Sequence, residues 1–232
     1  GIRALAVYVV VLYHSGLVVA SGGFIGVDLF FVLSGFLVTS VVIDELDNGT
    51  FRPIRFWARR FRRLLPAAAV VVVVTSVVFA AITMPAEREL ALSDARSVGL
   101  YFANWHFLSL GNDYFAADDL ARPFTHFWSL AVEEQFYFAF PLIVMASGWI
   151  AKQSCRRFRS VFGVVIASLG AASLLVQFVS ANQPGMRAYY ATDARAYQIL
   201  LGSLFALLIQ SPNFRKRIAD IPAVIFSTSG VV

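Results

Sequence analysis

The sequence predicts an all-α integral membrane protein, a polytopic helical bundle, from two observations. First, 59% of the 232 residues are hydrophobic and only 14% are charged, whereas a soluble domain of this size needs a charged, hydrated surface. Second, the apolar residues form runs of roughly 20, the length that a helix needs to cross a bilayer. A soluble all-α protein with unusually apolar helices is the alternative, and the composition disfavours it.

Six apolar runs are interpreted as membrane spans, and a seventh begins near Ile221. The six runs cover residues 4–20, 25–43, 65–84, 127–147, 161–180 and 194–210. Because the sequence starts inside one apolar run and stops inside another, we expect a longer protein. Residues 1–232 would then form a single transmembrane domain that is incomplete at its C-terminus.

The basic residues predict which side of the membrane each connection faces. Most of the 19 lysines and arginines lie in the connections 44–64, 148–160 and 211–220, and positively charged connections stay in the cytoplasm. This topology explains the net charge of +5 better than nucleic-acid binding does. It also places both ends of 85–126 outside the cytoplasm, so the short, polar segment 98–110 is expected to be interfacial or re-entrant rather than spanning.

Ionisable side chains inside the predicted spans are candidate functional groups, because each is costly in the bilayer unless it has a partner or a polar path. Arg3 and His14 lie on one face of the first predicted helix, about 16 Å apart along its axis. His14 is interpreted either as a proton-transfer group or as a partner in an interhelical hydrogen bond. Asp28, near the outer end of the second span, either orients His14 or is an acid favoured by the helix dipole.

The run RFWARRFRRLLP (55–66) is strongly basic. Arg59 with Arg62, and Arg60 with Arg63, are three residues apart, so each pair shares a helical face. Arginine binds phosphate through two parallel hydrogen bonds, and a polyphosphate ligand on the cytoplasmic side would fit these pairs. The alternative is that these arginines bind no ligand and only keep this connection on the cytoplasmic side, as the positive-inside rule describes.

The run HFWSLAVEEQFYF (126–138) places two adjacent acids in an apolar stretch. On a helix, His126, Glu133 and Tyr137 fall near one face, and Glu134 points about 100° away from Glu133. One acid is therefore expected to face the bundle interior as the partner of a buried arginine or of a substrate hydroxyl. Arg195, near the outer end of a later span, is the candidate arginine.

Taken together, these segments resemble the acyltransferase-3 family of membrane O-acyltransferases. The resemblance rests on the spacing of Arg3 and His14, on FFVLSG (30–35), on the RxxR pairs of ARRFRRLLP (58–66) and on HFWSLAVEEQFY (126–137), all in family order. The segment YYATDARAYQILLGSLFAL (189–207) resembles a later span of the same family.

The resemblance implies a reaction. Family members move an acyl group, commonly acetyl from acetyl-CoA, onto a hydroxyl of a cell-envelope glycan or a related molecule. It implies a multi-pass protein of the bacterial cytoplasmic (inner) membrane, embedded in the lipid bilayer. The EEQFY variant is typical of members that act on surface polysaccharide or peptidoglycan, and many of those carry an extracytoplasmic domain.

The resemblance also implies roles for individual residues. His14 would be the catalytic base. Arg3 would belong to the donor site together with Arg59, Arg60, Arg62 and Arg63. Phe30, Phe31, Ser34 and Gly35 would line or shape the site. From the positions of the residues themselves, we expect Asp28 or Glu134 to orient or partner His14. The further substrate-binding residues predicted in this way are His126, Glu133, Tyr137 and Arg195.

The sequence therefore predicts an O-acetyltransferase with its phosphate-binding arginines on the cytoplasmic side, a base deep in the membrane, and acids and aromatic residues toward the outside. No metal is expected, because no ligand spacing such as HExxH occurs. The alternative is a transporter or permease whose buried histidine and glutamates bind substrate or relay protons. A non-catalytic sensor is a weaker alternative, because the chain keeps both the base and the donor arginines.

Overall fold

The structure, a computed structural model, describes residues 8–12, 25–111, 122–211 and 214. Within these residues it contains helices and no β-strand, which confirms the all-α prediction. The helices are α1 (Ile25–Asp47), α2 (Pro53–Ile82), α3 (Pro85–Gly99), α4 (Ala103–Ser109), α5 (Phe127–Gln153), α6 (Phe158–Ala181), α7 (Arg187–Tyr190) and α8 (Thr192–Ile209). Arg3, His14 and the run from Ile221 lie outside the described residues, so what the sequence predicts for them stays a prediction.

Four of the described helices are long and apolar enough to cross a membrane: α1, α2, α5 and α6. They coincide with four of the predicted spans. Helix α8 coincides with the predicted span 194–210 but is not one of the four. Its 18 residues include Asp193 and Arg195 near the start, and these charges lower its mean hydropathy.

Helix α2 begins at Pro53, well before the predicted start of the span at residue 65. Proline suits the first turn of a helix, where its missing N–H would have no intrahelical partner. The helix has 30 residues, so it is about 45 Å long, whereas the apolar core of a bilayer is about 30 Å thick. The arginine run 55–66 is therefore a rigid helical extension of the span.

The segment 98–110 consists of the end of α3, a turn at residues 100–102 and helix α4. Helix α4 has only seven residues, too few to cross a bilayer. Tyr101 in the turn has a φ of 54°, in the left-handed region that residues with a Cβ rarely adopt. The turn packs against α2 and α5, where it forms part of the cavity described below.

Helices α1 and α8 run parallel and pack in close contact. A Cβ on Gly35 would lie 1.8 Å from the carbonyl oxygen of Ile199, and a Cβ on Gly202 would lie 1.9 Å from that of Val32. Such distances leave no room for a side chain, so glycine at both positions is what lets the two backbones meet. This contact fixes the position of the FFVLSG segment in the bundle.

The core lies among α1, α5, α6 and α8 and is rich in aromatic side chains, including Phe31, Trp128, Phe140 and Phe162. Helix α2 stands at its side. No residue in the most apolar 18-residue window of α2 is buried against the rest of the described chain. That half of α2 presents an apolar surface of the kind that faces lipid.

Candidate functional site

Glu133 is the centre of a buried hydrogen-bond network between α1 and α5. Its side chain is 4% exposed. The hydroxyl of Tyr137 donates to Oε1 of Glu133 at 2.5 Å, and the hydroxyl of Ser34 donates to the same oxygen. The predicted common face of Glu133 and Tyr137 is confirmed by this contact. Ser34 of FFVLSG is thus joined to the glutamate motif, which no spacing in the sequence indicates.

Arg60 completes this cluster from α2. Its guanidinium carbon lies 3.3 Å from the centroid of the Tyr137 ring, a cation–π contact. The indole N–H of Trp57, one turn earlier, donates to the carbonyl oxygen of Phe138 at 3.3 Å. The expected separation between cytoplasmic arginines and outward acids is therefore wrong for Arg60. Because α2 begins at Pro53 and runs alongside α5, it carries Arg60 to the level of the acids.

The other arginines of the run lie apart from this cluster. Arg59, Arg62 and Arg63 are exposed, whereas Arg60 is half-buried. Arg59 forms an ion pair with Glu45 at 2.5 Å, and Arg62 donates to the carbonyl oxygen of Ala58. The four arginines thus divide into one that stacks on Tyr137 of the buried cluster and three on the surface of the same helix.

Glu134 faces a cavity of about 280 Å³ between α2, the turn at 100–102 and α5. The cavity is lined by Trp57, Arg60, Phe61, Leu100, Tyr101, Phe102, Glu134, Gln135, Tyr137 and Phe138. Glu134 is 7% exposed, and its Oε1 has no hydrogen-bond partner among the described residues. Tyr101 and Glu134 line the same cavity, and burial and, second, the charge of Glu134 raise the pKa of Tyr101. A buried carboxylate oxygen that has no donor among the described residues is a candidate ligand contact.

Gln135, the next residue, holds the wall of this cavity in place. Its Nε2 donates to the carbonyl oxygen of Tyr101 at 2.7 Å and to Oδ1 of Asn104 at 2.9 Å. Its Oε1 accepts from the indole N–H of Trp105 at 3.2 Å and from the hydroxyl of Thr192 at 2.5 Å. Sequence reasoning missed this residue, although a third polar side chain in an apolar run was the available signal.

Arg195 does not pair with a glutamate, so that prediction is wrong. Its Nη1 lies 3.1 Å from Oδ1 of Asp28, and its guanidinium stacks near Trp128 and Tyr189. The parallel packing of α1 on α8 explains the pairing, because it places the first turns of both helices side by side. Asp28 also accepts from Gln198 at 2.7 Å. Whether Asp28 orients His14 stays a prediction.

The remaining predicted site residues are structural neighbours of this cluster. Phe31 is fully buried and packs edge-on against Trp128, with centroids 6.1 Å apart. Phe30 is partly buried against the same core, and Gly35 makes the contact with α8. His126 is exposed at the N-terminus of α5, two helical turns from Glu133.

A second buried acid lies outside this site. Asp94 of α3 is fully buried, and its Oδ1 lies 2.8 Å from Nε2 of His106 and 3.0 Å from Nη1 of Arg122. These contacts join α3, α4 and the segment that enters α5. No group of three or more histidine, cysteine, aspartate or glutamate side chains suited to a metal ion occurs among the described residues.

Comparison with known proteins matches these features to one family. A family model described as an acyltransferase domain, that of the acyltransferase-3 family, matches residues 1–229. The peptidoglycan O-acetyltransferase OatA of Listeria monocytogenes is 37% identical over 209 residues, which cover 90% of this chain and 33% of the relative. YrhL of Bacillus subtilis, provisionally named for the same activity, is 39% identical over 215 residues, which cover 90% of this chain and 32% of the relative.

The chain spans about a third of the length of these curated relatives. No solved structure matches it. The family model covers almost the whole sequence. In the described residues, the FFVLSG, RxxR and glutamate segments meet at one buried site. The chain therefore belongs to the acyltransferase-3 family.

Proposed function

We propose that the protein containing this chain is an O-acetyltransferase of the bacterial cytoplasmic membrane that moves an acetyl group from acetyl-CoA to a hydroxyl of a cell-envelope glycan. One observation carries the proposal. Ser34, Arg60 and the adjacent glutamates come from three separate motifs, and they surround one buried cluster and its cavity. The name of the Listeria relative supports peptidoglycan as the acceptor class.

The donor site is assigned to α2 and the cavity. Arg59, Arg62 and Arg63 are exposed on the helix that carries Arg60, so they can hold the phosphates of acetyl-CoA by charge and by paired hydrogen bonds. The cavity is lined mostly by aromatic and aliphatic side chains, which suit the uncharged thioester end of the donor. Arg3 is proposed to join this site from the first span.

The chemistry is assigned to His14 and Glu134. Transfer forms an ester bond to the acceptor oxygen and breaks the thioester bond, and the hydroxyl proton ends on the departing CoA thiol. His14 takes that proton, or first receives the acetyl group itself, and either route needs an acid to orient the ring. Glu134 suits this role better than Asp28, because Asp28 is engaged by Arg195 and Gln198.

The acceptor side is assigned to the opposite ends of α1, α5 and α8. Asp28, His126 and Arg195 all lie at helix N-termini that the positive-inside rule places outside the cytoplasm. Arginine, aspartate and aromatic rings bind sugars through hydroxyl hydrogen bonds and ring stacking. A glycan that approaches from this side would reach the buried cluster along α1 and α5.

The test uses the full-length protein in proteoliposomes with radiolabelled acetyl-CoA and an envelope-glycan acceptor. Wild type is compared with His14→Ala, Arg60→Ala and Arg55→Ala, the last being an exposed arginine of α2 outside the site. We expect His14→Ala to abolish transfer while acetyl-CoA still binds. We expect Arg60→Ala to weaken the binding of acetyl-CoA about tenfold, which corresponds to about 1.4 kcal/mol of binding free energy. Arg55→Ala should match wild type.

Two results would contradict the proposal. Transfer that is unchanged in His14→Ala would remove this residue from the mechanism. A wild-type protein that binds no acetyl-CoA but moves a substrate across the vesicle membrane would identify a transporter, which also uses ionisable residues inside spans.

A further inference from the structure

The side chain of Gln135 uses its full hydrogen-bonding capacity. A carboxamide offers two N–H donors and one carbonyl oxygen with two lone pairs. Both donors and both lone pairs are engaged, with Tyr101, Asn104, Trp105 and Thr192. These partners lie in three segments of the described chain, which are the turn at 100–102, α4 and the start of α8. Such a residue fixes its neighbours relative to one another.

The donor half of this network acts on the cavity wall. Leu100, Tyr101 and Phe102 line the cavity opposite Arg60 and Trp57. Tyr101 holds a φ of 54°, a conformation that persists only where the surroundings enforce it. The hydrogen bond from Gln135 reaches the carbonyl oxygen of this residue, so it acts on the strained point of the turn.

The wall also lies beside Glu134. Leu100 and Phe102 are largely exposed, whereas Glu134, which lines the same cavity, is 7% exposed, so the turn stands at the boundary between the cavity and the surface of the bundle. If the turn shifts, water gains access to Glu134 and to any thioester bound beside it. A closed site suppresses hydrolysis of a reactive acyl group.

We infer that Gln135 is a positioning residue for acyl transfer, which clamps the turn at 100–102 as the fixed wall of an acetyl-thioester site and so excludes water from it. The inference rests on the proposed function. Gln135 touches no reacting atom in this assignment, because its carboxamide is saturated by protein partners. Its effect passes through Tyr101 and the shape of the cavity.

The main variant is Gln135→Met, which keeps the length of the side chain. It loses the hydrogen bond to Tyr101 of the turn and the one to Asn104 of α4, together with the oxygen that accepts from Trp105 and Thr192. Gln135→Glu is the second variant, because it keeps the oxygen that accepts from Trp105 and Thr192 and loses the donors. Trp105→Phe is the matched control. It removes one hydrogen bond of the same network and leaves intact the bonds from Gln135 to Tyr101 of the wall and to Asn104 of α4.

The measurements are the KM for acetyl-CoA, kcat for transfer, and the fraction of acetyl-CoA lost to water as acetate and free CoA thiol. We expect Gln135→Met to raise KM about tenfold, which corresponds to about 1.4 kcal/mol, because the carbonyl oxygen of Tyr101 loses its hydrogen bond and the turn is no longer held in place. We expect hydrolysis to rise severalfold relative to transfer, with kcat at saturating donor changed by less than about twofold. Trp105→Phe should show neither change. If Gln135→Met does not fold in detergent, the same outcome is expected of Gln135→Glu.

Equal KM and equal partition between transfer and hydrolysis in Gln135→Met and Trp105→Phe would overturn the clamp. A loss confined to kcat, like that expected of Glu134→Gln, would overturn it as well. A failure of the proposed function would give a result that differs from both of these. A wild type that binds acetyl-CoA without transferring acetyl would refute the reaction, while the Kd of the variants would still decide whether Gln135 shapes the donor site.

Discussion

Arg60 differs from its neighbours in the arginine run because its guanidinium lies against an aromatic ring. The flat, delocalised guanidinium stacks on Tyr137 and can still donate hydrogen bonds at its edges, which a lysine ammonium cannot reproduce. We expect Arg60→Lys to lower acetyl transfer about tenfold although the charge is kept, a difference of about 1.4 kcal/mol. Arg55→Lys is the control and should leave transfer unchanged. Equal transfer in the two variants would show that charge alone matters at position 60.

Glu133 and Glu134 are adjacent, yet their environments predict opposite phenotypes. Glu133→Gln replaces the carboxylate that accepts from Ser34 and Tyr137 with a carboxamide, and this change disturbs both hydrogen bonds. A buried donor that is left without a partner costs about 1–3 kcal/mol. We expect it to lower the thermal unfolding midpoint in detergent. Glu134→Gln should retain that midpoint, because Oε1 of Glu134 has no partner among the described residues, but it should lose acetyl transfer. Equal loss of stability in both variants would contradict this division of roles.

At this scale the sequence predicts spacing within a helix but not partners between helices. The i, i+4 relation of Glu133 and Tyr137 follows from helical geometry. The contact with Ser34, about a hundred positions earlier in the chain, depends on how α1 packs against α5. The pairing expected between Arg195 and a glutamate was wrong for the same reason, since the register of α8 on α1 brings Asp28 within reach first.

The contact between α1 and α8 depends on two glycines. Gly35→Ala or Gly202→Ala would place a methyl group about 2 Å from a backbone oxygen of the other helix. The helices must then separate, and we expect a loss of about 1–3 kcal/mol or more in stability, measured as a lower unfolding midpoint. Transfer should also fall, because α1 carries Ser34.

Gly148→Ala is the matched control for these two substitutions. It lies inside α5, and a Cβ there meets nothing within 4 Å, so alanine should be neutral or stabilising by about 0.5–1 kcal/mol. A Gly35→Ala variant as stable as Gly148→Ala would contradict the close helix contact.

The helices themselves follow from the sequence more directly than their contacts do. Apolar runs of sufficient length predict α1, α5 and α6 within a few residues. Helix α2 begins before its predicted span, because the apolar run starts only after the arginines whereas the helix already starts at Pro53. The difference matters, since a helical arginine run alongside α5 is what brings Arg60 to Tyr137.

The convergence of the motifs is a property of the whole molecule. Ser34 and Glu133 are buried, and Arg60 and Gln135 are half-buried, in an apolar bundle. Each of these polar residues contacts a group from another element. Polar groups inside a membrane protein persist where they meet one another. Composition therefore predicts that such residues will find partners, but the identity of the partners depends on the three-dimensional packing.

The topology of the molecule can be tested at Cys155, the single cysteine of the chain. It is free and exposed in the connection between α5 and α6, whose basic residues predict a cytoplasmic position.

We expect a membrane-impermeant maleimide to label Cys155 in inside-out vesicles and not in intact cells. The comparison variant combines Cys155→Ser with Gln183→Cys, at an exposed position between α6 and α7, and should show the reverse pattern. Helix α6 is long and apolar enough to cross the membrane, and if it does so, the two sites lie on opposite sides. Labelling of Cys155 in intact cells would invert the topology and place the arginines of α2 outside, where cytoplasmic acetyl-CoA cannot reach them.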